Sequence, residues 1–232
     1  MIAFDIEIAD EFELAPGEDL DARGPFRISV AAVHDDATGH SRVWHATDGR
    51  GGPTGHLDAG LARDVLGYLR EQQRAGTRIV AWNGLSFDLK WLGHAAGDRR
   101  LAAEVASELV DPMFQFFCLK GFPVGLQAVA EGMGLAVRKL MDGKDAPRAW
   151  RMGEHQRVLD YVVEDCRITT LVVQAIERKR HIRWRTSRGS LSDVAIRQLL
   201  PVREVLKLPE PDTSWMDKPI PRSRFAGWLA GT

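Results

Sequence analysis

Residues 2–8, Ile-Ala-Phe-Asp-Ile-Glu-Ile, alternate strictly, with Ile2, Phe4, Ile6 and Ile8 on one side and Ala3, Asp5 and Glu7 on the other. This is the period of a half-buried β-strand, so the apolar row must find a core while the opposite face presents two carboxylates. Two residues apart on a strand is roughly 7 Å at the backbone, close enough for both side chains to hold one ion. An acidic loop over 10–24 follows. Segments 27–34 and 42–46 then read as two more strands around an Asp-Asp-Ala-Thr-Gly turn, which predicts an antiparallel meander of three strands.

Beyond the meander the period changes. A Gly-rich loop at 49–55 leads to a helix over 57–74, with Leu61, Val65, Leu66 and Leu69 at helical spacing. A short apolar strand over 78–82 ends in an Asn83-Gly84 turn, and Ser86 is the expected N-cap of a helix over 87–94 that carries Asp88 in its first turn. Then come a helix over 101–109, a short strand ending at Asp111-Pro112, and a helix over 124–133 closed by Gly134. The longest helix is predicted over 154–176, with Val158, Val162, Cys166, Thr169, Val173 and Ile176 as its core stripe. Five prolines within 201–221 disfavour a continuous regular element there, so this part reads as an extended tail anchored by Trp215 and Trp228. The expected class is α/β, a central mixed sheet of a three-strand meander plus parallel strands, flanked by helices. One domain would span 1–180, with a basic segment and Pro-rich tail over 181–232 packed on it.

Composition excludes several functions. Apolar residues make up 44% and charged residues 27% of the chain, and no run approaches the roughly 18 apolar residues a membrane-crossing helix needs. The first ten residues do not resemble a secretory signal, and Cys118 and Cys166 fit neither a disulfide framework nor a Cys-x-x-Cys metal or redox pattern. The expectation is a protein of the cytoplasm, with no membrane partner and two buried thiols. The net charge of −1 hides an asymmetry: eight carboxylates and no base lie between Asp5 and Asp21, whereas Arg178, Lys179, Arg180, Arg183, Arg185 and Arg188 fall within eleven residues. A metal-plus-phosphate site needs both signs, although a charge run is more often a solvated face.

Three segments supply acids where a fold could bring them together. Asp5 and Glu7 share a strand face, Asp88 begins a helix just after a strand end, and Tyr161 and Asp165 stand four apart on a helix, hence on one face. Each signal alone is weak. Their order and their spacing of roughly 80 residues carry more weight.

Phe-Asp-Ile-Glu at 4–7, Asn-Gly-Leu-Ser-Phe-Asp at 83–88 and Tyr-Val-Val-Glu-Asp at 161–165 resemble the three exonuclease motifs of the DEDD superfamily of 3′-to-5′ exonucleases. The Tyr-x-x-x-Asp form is similar to the tyrosine subclass, found in the proofreading domains of family B DNA polymerases and in stand-alone bacterial and phage relatives. Asp160 stands where the histidine subclass would need His. The stretch 125–165, with Leu126, Gly134, Gly143, Trp150 and Gly153, also looks like the stand-alone relatives, and the resemblance covers about 1–180.

The resemblance implies a ribonuclease H-like fold and a 3′-to-5′ exonuclease that uses two divalent cations, Mg²⁺ or Mn²⁺. It makes Asp5, Glu7, Asp88 and Asp165 metal ligands. Asp5 would bridge both ions, Glu7 and Asp165 would complete the site that activates water, and Asp88 would support the second ion. Tyr161, whose ordinary pKa of about 10 makes it a poor base, would aim the water. The implied partner is the 3′ end of single-stranded nucleic acid, with DNA favoured over RNA. Asn83 and Phe87 are expected near the substrate, though for Phe87 core packing is the stronger expectation. Arg183, Trp184 and Arg185 form a basic-aromatic mix able to track phosphates and stack bases. Asp111 reads as a turn former. Alternatives are a non-catalytic nucleic-acid-binding module on the same fold and an RNA-directed nuclease.

Overall fold

A computed structural model of the chain describes residues 1–13, 15, 18 and 20–231. Positions 14, 16, 17 and 19 of the acidic loop, and so one of the eight carboxylates counted above, lie outside the described residues. The chain runs β1 (Ile2–Ile8), β2 (Ile28–Asp35), β3 (Ser41–His45), α1 (Ala59–Arg74), β4 (Ile79–Val80), α2 (Asp88–Ala96), α3 (Arg99–Glu108), α4 (Pro112–Lys120), α5 (Leu126–Gly132), α6 (Ala146–Arg151) and α7 (His155–Lys179). It closes with β5 (His181–Arg185), β6 (Leu191–Ala195), α8 (Val202–Val205) and α9 (Ser223–Ala226).

The protein is α/β with a mixed sheet flanked by helices. The sheet order is β3-β2-β1-β4, antiparallel through the meander and parallel between β1 and β4. Val110 extends the parallel side by a bridge to Val80. Ile2, Phe4, Ile6 and Ile8 face one core, shared with α1, α2, α3 and α4, while Ala3, Val30, Ala32 and Val80 face a second core filled mainly from α5, α6 and α7. β1 is therefore buried on both faces, not half-buried as its alternation suggests. The acid-bearing side is covered because Tyr161, Val162 and Cys166 of α7 pack across it, the Cys166 thiol reaching the Ala32 carbonyl at 3.5 Å.

Four local readings change. Ser86 is not the N-cap of α2, because its hydroxyl donates to the Asn83 side-chain oxygen at 2.5 Å and Phe87 occupies the cap without a side-chain hydrogen bond. The strand expected to end at Asp111-Pro112 shrinks to the Val110 bridges, and Pro112 opens α4 instead. Met113 to Cys118 are all buried, so α4 has no polar stripe to mark it as a helix. The basic segment after α7 is a β-hairpin. Arg180 takes a left-handed conformation (φ 57°) that ends the helix, and Ile182 and Trp184 then alternate with Arg183 and Arg185. That period of two is visible in the sequence, but the density of arginines obscures it.

The two tail tryptophans differ. Trp228 does anchor, its indole donating to the Leu85 carbonyl at 2.9 Å. Trp215 is 64% exposed and anchors nothing of comparable depth. The tail contains the short turns α8 and α9 and no long regular element, as its prolines require.

Candidate metal and catalytic site

Asp5, Glu7, Asn83, Phe87, Asp88, Tyr161 and Asp165 all line one pocket of about 440 Å³. Local structure explains how each arrives there. β1 presents Asp5 and Glu7 on the α7 side, and a register shift in the β1–β2 ladder falls directly after Glu7. Ser29, fully buried beside that bulge, donates its hydroxyl to the Glu7 carbonyl at 3.0 Å. On α7, Tyr161 and Asp165 are one turn apart, and both are buried.

Asp88 is fastened across 82 residues of sequence, because its Oδ1 accepts the Ile6 backbone N–H at 3.1 Å. The turn that precedes it is strained, with Asn83 at φ 68°. Asp111 holds that turn: one oxygen accepts from the N–H of Asn83 (3.1 Å) and of Phe114 (3.0 Å), the other from Leu85 (3.0 Å). It is thus the N-cap of α4 and the clamp of the Asn83 turn at once. Burial pushes its carboxyl up to about 6, against the pull of those three N–H groups. Asp111→Ala would leave buried donors without an acceptor, and we expect a loss of roughly 3 kcal/mol or more in urea unfolding. A variant within about 1 kcal/mol of wild type would show that the clamp is dispensable.

The acids form a tight cluster. Asp5, Glu7 and Asp165 each offer a carboxylate oxygen within 4.8 Å of the other two. Burial raises Asp5 well above the usual carboxylate range, Asp88, Asp165 and Glu7 add to the shift, and Lys139 opposes it. Glu7 rises for the same reasons, burial first and then Asp165. Burial pushes Asp88 up to about 7 despite its backbone hydrogen bonds and one shared with Asp5. Carboxylates this crowded and this dry require either protons or cations between them.

Tyr161, 1% exposed, has its acidity suppressed by burial and by Glu7, Asp165 and Asp5, so its hydroxyl keeps its proton. That hydroxyl hydrogen-bonds Asp165 and lies 3.2 Å from the Lys139 ammonium. Lys139 also pairs directly with Asp165 Oδ2. Burial disfavours the Lys139 charge, but Asp165, Asp5 and Glu7 outweigh it and raise its pKa. Sequence reading missed Lys139 because a loop lysine has no spacing that marks it.

The residues fit a hard divalent cation. The donors are all carboxylate oxygens, as Mg²⁺ and Mn²⁺ prefer. Asp165 Oδ1 is buried and has no hydrogen-bond partner among the described residues, an unsatisfied oxygen on one of the three clustered carboxylates.

The basic-aromatic trio does not join this pocket. Arg183 and Arg185 are exposed on β5, and Arg185 pairs with Glu131 at 3.2 Å. Trp184 is 6% exposed and packs edge-on against Phe116 (4.9 Å) and Phe122 (6.1 Å), so its ring is core and not a base platform. No helix among the described residues is long and apolar enough to cross a membrane. Compared with family models and with curated proteins, the chain finds no match.

Proposed function

We propose that this chain is a metal-dependent 3′-to-5′ exonuclease with a ribonuclease H-like fold, acting on single-stranded nucleic acid with DNA favoured over RNA. The observation that carries this is that four acids and a tyrosine from the opening strand, a turn-helix and a late helix line one pocket, with Asp165 Oδ1 unsatisfied among the described residues. Asp5, Glu7 and Asp165 would hold a cation, with Asp88 supporting a second. Mg²⁺ or Mn²⁺ bound there supplies an acidified water and charge for the scissile phosphate and the departing 3′ oxygen. Tyr161 is a donor and not a base, so its part is to fix Asp165 and orient the water. Lys139 and Lys144 line the pocket and give the phosphate a positive neighbour. Phe87 packs 5.9 Å from Phe26 and is half-buried, leaving an edge for the terminal base. The likeness of the motifs to polymerase proofreading domains favours DNA.

The direct test incubates 5′-labelled single-stranded DNA and RNA with the protein in Mg²⁺, in Mn²⁺ and in chelator. A ladder shortening from the 3′ end, present with metal and absent with chelator, is the expected result. Binding without cleavage in either metal would instead favour a non-catalytic module. In the same assay Tyr161→Phe should slow the ladder by a factor on the order of 10², the scale of losing one positioned group. A Tyr161→Phe enzyme as fast as wild type would remove the positioning role.

A further inference from the structure

The acid pocket does not end at Phe87. Leu20, Trp82, Asn83 and Phe87 line both that pocket and a larger neighbouring groove of about 1030 Å³. Its other bank comes from the C-terminal segment, through Lys218, Pro219, Ile220, Pro221 and Arg224. Two prolines flanking Ile220 stiffen this bank, since each fixes its own φ. The groove's lining is mostly apolar, with cations at its edge. Asp21 is the one carboxylate among the groove's described lining residues, and it already pairs with Lys90 at 2.8 Å. Lys218 is exposed and has no ion-pair partner among the described residues.

Beyond the groove stands Trp215. Its indole N–H is tied to the Asp212 carbonyl at 3.1 Å, and its ring meets Phe122 edge-on at 6.0 Å, next to the groove residue Pro123. A tryptophan fixed at its polar end yet 64% exposed contributes little to the core. An oriented aromatic face three positions along the chain from an unpaired lysine is a combination that can stack a base and meet a phosphate.

We infer that the C-terminal segment 211–225 forms the second bank of a track for single-stranded polynucleotide, in which Trp215 stacks a base and Lys218 contacts a phosphate upstream of the 3′ end held at the acid pocket. The inference rests on the nuclease reading for the direction of the strand. The track gives the tail a role in holding long strands and none in the chemistry at their end.

The test separates the two readings. Fluorescence anisotropy in chelator measures binding of 5′-fluorescein oligothymidylate and oligouridylate strands of about twelve nucleotides, while hydrolysis of a thymidine dinucleotide in Mn²⁺ measures chemistry at the acid pocket alone. Trp215→Ala should weaken binding of the longer strand roughly tenfold, the scale of one lost base stack. Trp215→Phe, which keeps an aromatic face, should recover most of it. Lys218→Glu should weaken binding comparably at low salt and little at high salt. Dinucleotide turnover should be unchanged in all three variants, because the inferred track holds the strand upstream of its two terminal nucleotides. Affinities within about twofold of wild type in both Trp215→Ala and Lys218→Glu would overturn the track, and so would a wild-type protein that binds neither strand. Absence of dinucleotide hydrolysis with intact, tail-dependent binding would remove the exonuclease reading and leave the track standing.

Discussion

Asp5→Ala abolishes hydrolysis from the 3′ end, with a loss on the order of 10³-fold or more, and the metal-free protein unfolds no earlier than wild type. Both halves follow from the crowding around this side chain. Asp5 belongs to the three-carboxylate cluster and hydrogen-bonds Asp88, so no neighbour can replace its oxygen without abandoning its own position. Its carboxyl is also raised by burial and by Asp88, Asp165 and Glu7 together, which means that in the absence of metal it is held at a cost. Alanine keeps the β1 backbone paired with Ala32 and removes that cost. Activity and stability should therefore move in opposite directions, as they do where a site is arranged for function. A labelled-strand assay and a thermal melt in chelator check the two halves. An active Asp5→Ala enzyme, or an early-melting one, would contradict the assignment.

Saturating Mn²⁺ raises the melting temperature, and the rise disappears in Asp5→Ala. A ligand at a hundred times its Kd stabilises by about 2.7 kcal/mol. A domain of this size shifts by roughly 2–4 °C per kcal/mol, so the expected rise is about 5–11 °C. The effect depends on pH with a definite sign. Asp88 at about 7 and Asp111 at about 6 both lie above the ordinary aspartate value of 3.8, and Asp5 and Glu7 are raised as well. The folded state then keeps protons that the unfolded chain has released. Stability of the metal-free protein is accordingly full below about pH 4 as far as these groups are concerned, and is lost as pH rises through about 6 to 7. Mn²⁺ should therefore matter more at pH 8 than at pH 5.5 in melts checked by differential scanning calorimetry. A melt insensitive to Mn²⁺ at pH 8 would count against any cation in the cluster.

Much of this was legible in the chain because the site sits on its most regular pieces. The period of two over 2–8 set which side carried Asp5 and Glu7, and the long stripe through Val158, Val162 and Cys166 set which side of α7 carried Tyr161 and Asp165. The meander and α1 likewise fall close to where alternation and helical spacing put them. What the chain concealed was burial and loops. Glu7 and Ala3 read as the open side of a half-buried strand because alternation reports one core, whereas β1 lies between two. α4 was hidden for the same reason, its aromatic run being buried all round. Lys139 lies in an irregular segment where no period exists to place it. Trp184 is buried and Trp215 exposed, the reverse of what was expected, since whether a tryptophan faces inward depends on a hairpin and a tail whose packing partners are distant in sequence.

The bond from the Ile6 N–H to Asp88 has a consequence for how such a chain tolerates change. It joins the first acid strand to the second acid element through the main chain, which every residue but proline supplies. The span between the two, including the exposed loop at 49–51, is slack as far as their spacing is concerned. Lengthening that loop would alter the contour of the polypeptide and leave the separation of the two carboxylates where β1–β4 pairing and this amide fix it.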